Sequence, residues 1–197
     1  MKRLFDVACS VPALLLLLPF FLVVSILIKS ESKGPVFYRQ VRVGRYGRPF
    51  RIFKLRTMFT GSDKSGLITI GSSDKRITKT GLFLRKYKLD ELPQFINVLM
   101  GDMSLVGPRP EVQQYVDLYT REQRKVLDIR PGITDYASLE YADENELLAG
   151  HADPERLYRE VIMPAKLELN MKYIRESGFS TDLAIVFRTI RKIWSWG

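Results

Sequence analysis

The sequence predicts a mostly helical α/β protein fastened to a membrane through its first residues. Three observations carry that prediction. Residues 7–28 form a run of 22 without a charge. Two stretches in which basic and apolar residues alternate flank a turn with two glycines, which reads as a β-hairpin. Residues 183–196 place apolar side chains three and four apart beside Arg and Lys, and end in tryptophans, the pattern of an amphipathic helix.

The apolar run comes first. About 20 apolar residues cross a bilayer core. A cleaved signal peptide is disfavoured because no small-x-small site follows Ile28. A buried core helix is disfavoured by the length of the run. Lys2 and Arg3 precede it, and Lys29, Lys33, Arg39, Arg42, Arg45 and Arg48 follow. With both flanks basic, the positive-inside rule orients no single span, but both flanks on the cytoplasmic face would satisfy it. Pro19, in mid-run, cannot donate to the Leu15 carbonyl and kinks a helix there. The residues alone leave two readings open: a helix broken at Pro19 that enters and leaves by one face, or a straight span with a tolerated proline.

The hairpin is expected over 36–43 and 50–55, with its turn at 44–49. Residues 61–80, rich in Gly, Ser, Thr and Asp, read as loop. Short helices are expected at 82–87 and 90–100, the second with Asp90 as N-cap, Pro93 in its first turn and Gly101 ending it. Residues 107–110 form a stiff loop. Helix is expected over 111–127, a turn at 130–134, and a long helix over 154–176 bent at Pro164. The terminal helix, about 180–197, is read as lying in the headgroup plane, with core packing as the alternative. Two regions follow: a membrane segment, 1–33, and a cytoplasmic-face domain, 34–197.

Charge sets bounds on function. The chain has 31 Lys and Arg against 22 Asp and Glu, a net +9, and an equal excess already lies within residues 1–60. Such a balance points to nucleic acid, an anionic membrane or phosphorylated ligands, and the apolar runs favour the last two. No nucleic-acid partner is expected. A single cysteine, Cys9, excludes a disulfide scaffold and a cysteine zinc site. A single histidine, His151, leaves little room for a histidine-based triad or metal centre. Chemistry falls to carboxylates, Lys, Arg, Tyr and hydroxyls.

No Walker loop, dinucleotide fingerprint or HExxH motif is present. The strongest candidates are Asp90 and Glu91. Asp90 at a helix N-terminus would be kept ionised and would sit where phosphate is attracted. Arg85, Lys86 and Lys88 lie just upstream. A carboxylate attacking phosphorus must approach an anion, and Mg²⁺ held by the second carboxylate would offset the repulsion. Arg109, between Pro108 and Pro110, suits a bidentate phosphate contact. Arg130 is a weaker case of the same kind. Asp102 is a second candidate acid.

These residues lie in six ordered blocks: Lys2 to Asp6, Gly34 to Gln40, Phe50 to Met58, Leu89 to Gln94, Gly101 to Pro110 and Arg130 to Thr134. On them the sequence resembles the monotopic phosphoglycosyl transferases, or bacterial sugar transferase family. The resemblance implies transfer of a sugar-1-phosphate from a UDP-sugar to polyprenyl (undecaprenyl) phosphate with release of UMP. That is an initiating step of bacterial surface glycan assembly. It implies Asp90 as nucleophile of a covalent aspartyl phosphosugar, and Glu91 as the residue taking part in Mg²⁺ binding. It places Pro108, Arg109 and Pro110 near nucleotide and phosphates and Arg85 as a phosphate contact; Lys54 and Arg56, from the basic hairpin that could face phosphates, and Arg130 are expected as further substrate contacts. It favours the re-entrant helix broken at Pro19, hence a monotopic protein on the cytoplasmic face of the inner membrane, in contact with membrane lipids and compatible with a homodimer.

Three positions depart from the family pattern: Leu18 where Ser often precedes the breaking proline, Lys88 where Ser often precedes the dyad, and Asp135 where Gly often follows Ile-Thr. The last bears on the region expected to meet the donor. The extra N-terminal membrane domain of larger relatives is not expected. Two other readings compete: a basic membrane-surface scaffold without catalysis, and a metal-dependent glycosyltransferase that releases UDP.

Overall fold

The computed structural model describes residues 2–62 and 74–194. The expected loop at 61–80 falls largely outside them, as does Trp196. Helix α1 (Lys2–Glu31) opens the chain and contains both Pro12 and Pro19, with helical backbone running through each. At about 1.5 Å per residue its 30 residues suffice in length to cross a bilayer. Its middle is unlike a core helix, since Val11, Leu15, Leu16, Leu18, Leu22 and Val23 are exposed.

Both ends of α1 are fixed by polar contacts to the rest of the chain. At the start, Arg3 donates to the Val98 and Leu99 carbonyls. The buried Asp6 carboxylate accepts from Ser104 Oγ and from the Leu105 N–H at 3.0 Å. Lys2 pairs with Asp182. At the far end, Glu31 accepts the Thr80 N–H, and Arg56 gathers the last carbonyls of the helix.

Strands β1 (Phe37–Val43) and β2 (Pro49–Leu55) pair antiparallel, with Tyr38 opposite Lys54 and Val43 opposite Pro49. The hairpin is where alternation placed it. Its turn uses positive φ at Tyr46 and Gly47. Helix α2 (Lys79–Lys86) is capped by Thr78, whose hydroxyl accepts the Gly81 N–H. Gly81 lies against the Thr57 backbone so closely that a Cβ there would collide with it.

Helix α3 (Gln94–Met100) ends at Gly101 with φ of 90°, as expected. It starts later than expected. Asp90 is not its N-cap but lies in a preceding 3₁₀ turn, Leu89–Glu91, and Pro93 occupies the cap position without a side-chain bond. Strands β3 (Ser104–Val106) and β4 (Gly132–Thr134) form a small parallel pair. The expected turn at 130–134 therefore holds a strand.

The helix expected over 111–127 is instead a single turn, α4 (Gln113–Val116), followed by a 3₁₀ segment, Gln123–Asp128. Thr120 and Gln123 explain the split. Each side chain bonds the other's backbone N–H, a reciprocal cap that starts a new turn. Helices α5 (Tyr136–Glu140) and α6 (Glu144–Ala149) follow. The long helix over 154–176 is present as α7 (Pro154–Leu157), a π-helical turn at Tyr158–Ile162, and α8 (Met163–Glu176). The wide turn comes just before Pro164, which can accept no normal place in an α-helical ladder.

Helix α9 (Phe179–Trp194) is amphipathic in fact. Ile185 and Asp182 are buried, while Leu183, Phe187, Ile190 and Trp194 are exposed, Phe187 by 69% and Trp194 by 84%. Three apolar clusters hold the body together. One joins Val43, Tyr115, Val126 and Tyr158 to α8. The second joins Ile52 and Val98 to β3, Tyr173 and Ile185. The third sets Val24 and Ile28 of α1 on Leu55 and Leu84.

Candidate active site

The site forms where β2, the 3₁₀ turn before α3, and the loop after β3 meet. Asn97, fully buried in α3, ties the first two together. Its Oδ1 accepts the Phe53 N–H at 2.8 Å and its Nδ2 donates to the Arg51 carbonyl at 2.8 Å. Lys54, next along β2, is thereby held over the turn. Asn97 is not among the residues the sequence singled out, although an amide within the otherwise apolar stretch 95–100 was a visible signal.

Lys54 Nζ lies 2.8 Å from Glu91 Oε1. Arg109 grips the same carboxylate with both terminal nitrogens, Nη1 to Oε2 at 3.0 Å and Nη2 to Oε1. Glu91 thus occupies a two-pronged guanidinium fork of the kind that also takes phosphate. Burial alone would raise its carboxyl, but the Arg109 and Lys54 charges outweigh that and hold it well below the usual carboxylate range. Burial lowers the Lys54 ammonium against the pull of Glu91. Beside Glu91, the Arg109 guanidinium stays charged.

Asp90 is different. It is 8% exposed, and among the described residues no hydrogen bond or ion pair holds its carboxylate. Burial, reinforced by the Glu91 charge, pushes it above the ordinary carboxylate value against Lys54, Arg85 and Lys88. The expectation of a pKa lowered by a helix N-terminus is therefore corrected. The turn places Asp90 ahead of α3, and the first N–H groups of α3 are spent on Leu92 and Pro93 carbonyls. A desolvated carboxylate with no hydrogen bond is a better nucleophile than a solvated one.

Arg85 flanks the pair. Its Nε donates to Thr57 Oγ1 at 2.8 Å, and among the described residues its terminal nitrogens bond nothing. Pro108 and Pro110 are buried, carry no N–H to donate, and frame Arg109 in the chain. Arg56 is buried, with its donors on Pro35, Ser32, Lys33, Ile28 and Thr60, so it closes the end of α1, and among the described residues no hydrogen bond or ion pair joins it to Asp90 or Glu91. Arg130 bonds the Gly101 carbonyl at 3.0 Å, and no contact joins it to Glu91. Asp102 accepts only a long bond from Asn97. His151 is exposed and bonds within its own loop.

The resemblance implies Mg²⁺, and the donor set decides whether it fits. No cluster of three or more His, Cys, Asp or Glu occurs among the described residues. Mg²⁺ commonly takes one or two carboxylates and fills its shell with water and substrate phosphates. Asp90 and Glu91 match that pattern in number, provided Glu91 exchanges a cationic contact for the metal.

Comparison with known proteins supplies the rest. A family model described as bacterial sugar transferase matches residues 1–196. A UDP-N-acetylgalactosamine-undecaprenyl-phosphate N-acetylgalactosaminephosphotransferase of Aeromonas hydrophila is 41% identical over 98% of this chain and 43% of its own length. A UDP-glucose:undecaprenyl-phosphate glucose-1-phosphate transferase of Klebsiella pneumoniae is 37% identical over 97% of this chain and 39% of its own. An uncharacterized sugar transferase of Bacillus subtilis, EpsL, is 35% identical over 98% of this chain and 87% of its own. The chain thus spans under half of the first two relatives and most of the third.

Proposed function

The chain belongs to the bacterial sugar transferase family, and on that footing we propose that it moves a sugar-1-phosphate from a UDP-sugar to polyprenyl phosphate, such as undecaprenyl phosphate, releasing UMP. The observation that carries the reading is the contrast within the dyad. Asp90 is buried and, among the described residues, its carboxylate has no hydrogen bond or ion pair, while its neighbour Glu91 is held by Lys54 and Arg109.

In the first step an Asp90 oxygen attacks the phosphorus that bears the sugar. A phosphorus–oxygen bond to the bridging oxygen breaks, and UMP leaves with the electron pair. The aspartyl phosphosugar then meets the lipid phosphate, whose oxygen attacks the same phosphorus and returns Asp90 as carboxylate. Arg109, Lys54 and Arg85 supply the positive field in which three anionic groups meet. Glu91 would be the residue to hold a Mg²⁺ arriving with the diphosphate, which would supply positive charge against the phosphates. One phosphate site then serves both substrates in turn, which suits a donor from water and an acceptor from lipid.

This chemistry belongs at a headgroup plane. The exposed apolar faces of α1 and α9 support seating on one leaflet. Asp6 and the Ile28 carbonyl both bond to the one body, which supports a reading in which both ends of α1 lie on the same side of the membrane. The location that follows is the cytoplasmic face of the bacterial inner membrane.

Product analysis tests the reaction. Purified protein with polyprenyl phosphate, Mg²⁺ and a panel of UDP-sugars should release UMP; release of UDP, or of nothing, refutes it. Asp90→Asn should abolish UMP formation and the trapping of labelled sugar-phosphate on the protein. Cysteines replacing Lys2 and Lys33 in a Cys9→Ser background should both label from the cytoplasmic side. Labelling from opposite sides would defeat the re-entrant reading.

A further inference from the structure

The loop that presents Arg109 is tied at every turn. Gly107 N–H donates to the Thr134 carbonyl, and the Pro108 carbonyl accepts from Gly132, both at 3.0 Å. The Pro110 carbonyl accepts from Arg42 Nη1 at 3.1 Å, and the Glu111 carbonyl accepts from Val43 at 2.8 Å. Among the described residues the backbone of Arg109 is held by one side chain. Its N–H donates to Asp135 Oδ2 at 3.2 Å.

Asp135 also starts α5, its Oδ1 accepting the Ser138 N–H at 2.6 Å. It is fully buried, and among the described residues no cation lies within ion-pair distance of it. Burying an unpaired carboxylate is costly, and a cap does not need one, since Ser or Asn would serve α5. What the second oxygen adds is the bond to Arg109, and its charge joins Glu91 in keeping that guanidinium protonated.

We propose that Asp135 is a positioning residue for Arg109: one carboxylate oxygen fixes the backbone from which the guanidinium reaches the anion site, while the other caps α5. The proposal rests on the reading of this site as one that binds a diphosphate. It gives the departure at Asp135 a task separate from sugar choice.

Asp135→Ser separates the two jobs, because one hydroxyl can cap α5 but cannot also hold Arg109. Inorganic pyrophosphate binding, read by calorimetry on the full chain in detergent, is compared for the parent, Asp135→Ser, Arg109→Ala and the double variant. Asp135→Ser should weaken pyrophosphate about tenfold alone and less than about twofold in the Arg109→Ala background, as coupled neighbours do. The melting midpoint should hold within about 2 °C, since the cap remains. Equal losses in both backgrounds, or none in either, overturn the proposal. If Asp135→Ser fails to fold, Asp135→Asn is read in the same cycle. Pyrophosphate binding is independent of turnover, so a parent protein that binds it but forms no UMP would refute the reaction and leave this cycle to decide Asp135. A parent that binds no pyrophosphate refutes the positioning role.

Discussion

Replacing Arg56 by methionine should loosen α1 from the hairpin and leave the affinity for donor unchanged. The guanidinium makes short bonds to the Pro35 carbonyl at 2.7 Å and the Ser32 carbonyl at 2.9 Å, and one to the Ser32 hydroxyl. Three longer contacts, to Thr60, Lys33 and Ile28, lie at 3.3–3.4 Å. Counting only the short bonds at about 1 kcal/mol each gives a loss of about 3 kcal/mol. In a chain of this size each kcal/mol moves the melting midpoint by about 2–4 °C, so the drop should be about 6–12 °C. Thermal unfolding in detergent micelles measures it, alongside the donor KM. Arg56→Lys, which keeps a charge but not the fork, should fall between. An unchanged midpoint with a donor KM raised tenfold would return Arg56 to the substrate and refute the structural role.

Other substitutions probe separate parts of the molecule. Glu91→Gln leaves Lys54 and Arg109 without their anion and should cut kcat/KM by about a hundredfold or more, in the range of losing a buried charge partner; a change under tenfold would deny Glu91 its central place. Gly132→Ala would drive a Cβ into the Gly107 backbone and should prevent stable folding, whereas Gly47→Ala, with open space but φ of 73°, should cost only about 1 kcal/mol in denaturant unfolding. Phe187→Ser with Trp194→Ser should weaken binding to anionic vesicles in a flotation assay without lowering the melting midpoint, because both rings are exposed. A large loss of stability there would mean that α9 packs on the body through this face.

The sequence spoke most clearly where one short-range rule governs the backbone. The hairpin follows from alternation and two glycines, and α3 ends at Gly101 because only a residue at ease with positive φ can stand there. The parallel pair β3 and β4 was invisible, since three residues per strand carry no period. The segment 111–127 misled because its composition is helical, yet Thr120 and Gln123 restart it by a capping pair that was open to reading. At the site, residue types pointed to Asp90, Glu91 and Arg109, but burial is a property of the assembled body. It reversed the expected direction for the Asp90 carboxyl and gave Arg56 bonds that close the end of α1. Asp135 and Asn97 escaped notice as working residues because their tasks lie in bonds to distant backbone.

The contacts at the start of α1 also set an order of assembly. Lys2 bonds Tyr173 and Asp182, and Asp6 waits for Ser104 and Leu105. A ribosome adding roughly 5–20 residues each second delivers residue 182 about 10–40 s after residue 2. Arg3 and Asp6 gain their partners at residues 98–105 about halfway through that interval, while Lys2 waits for its end. The first turn of α1 is therefore closed last, and α9 works as its latch, supplying Asp182 to Lys2.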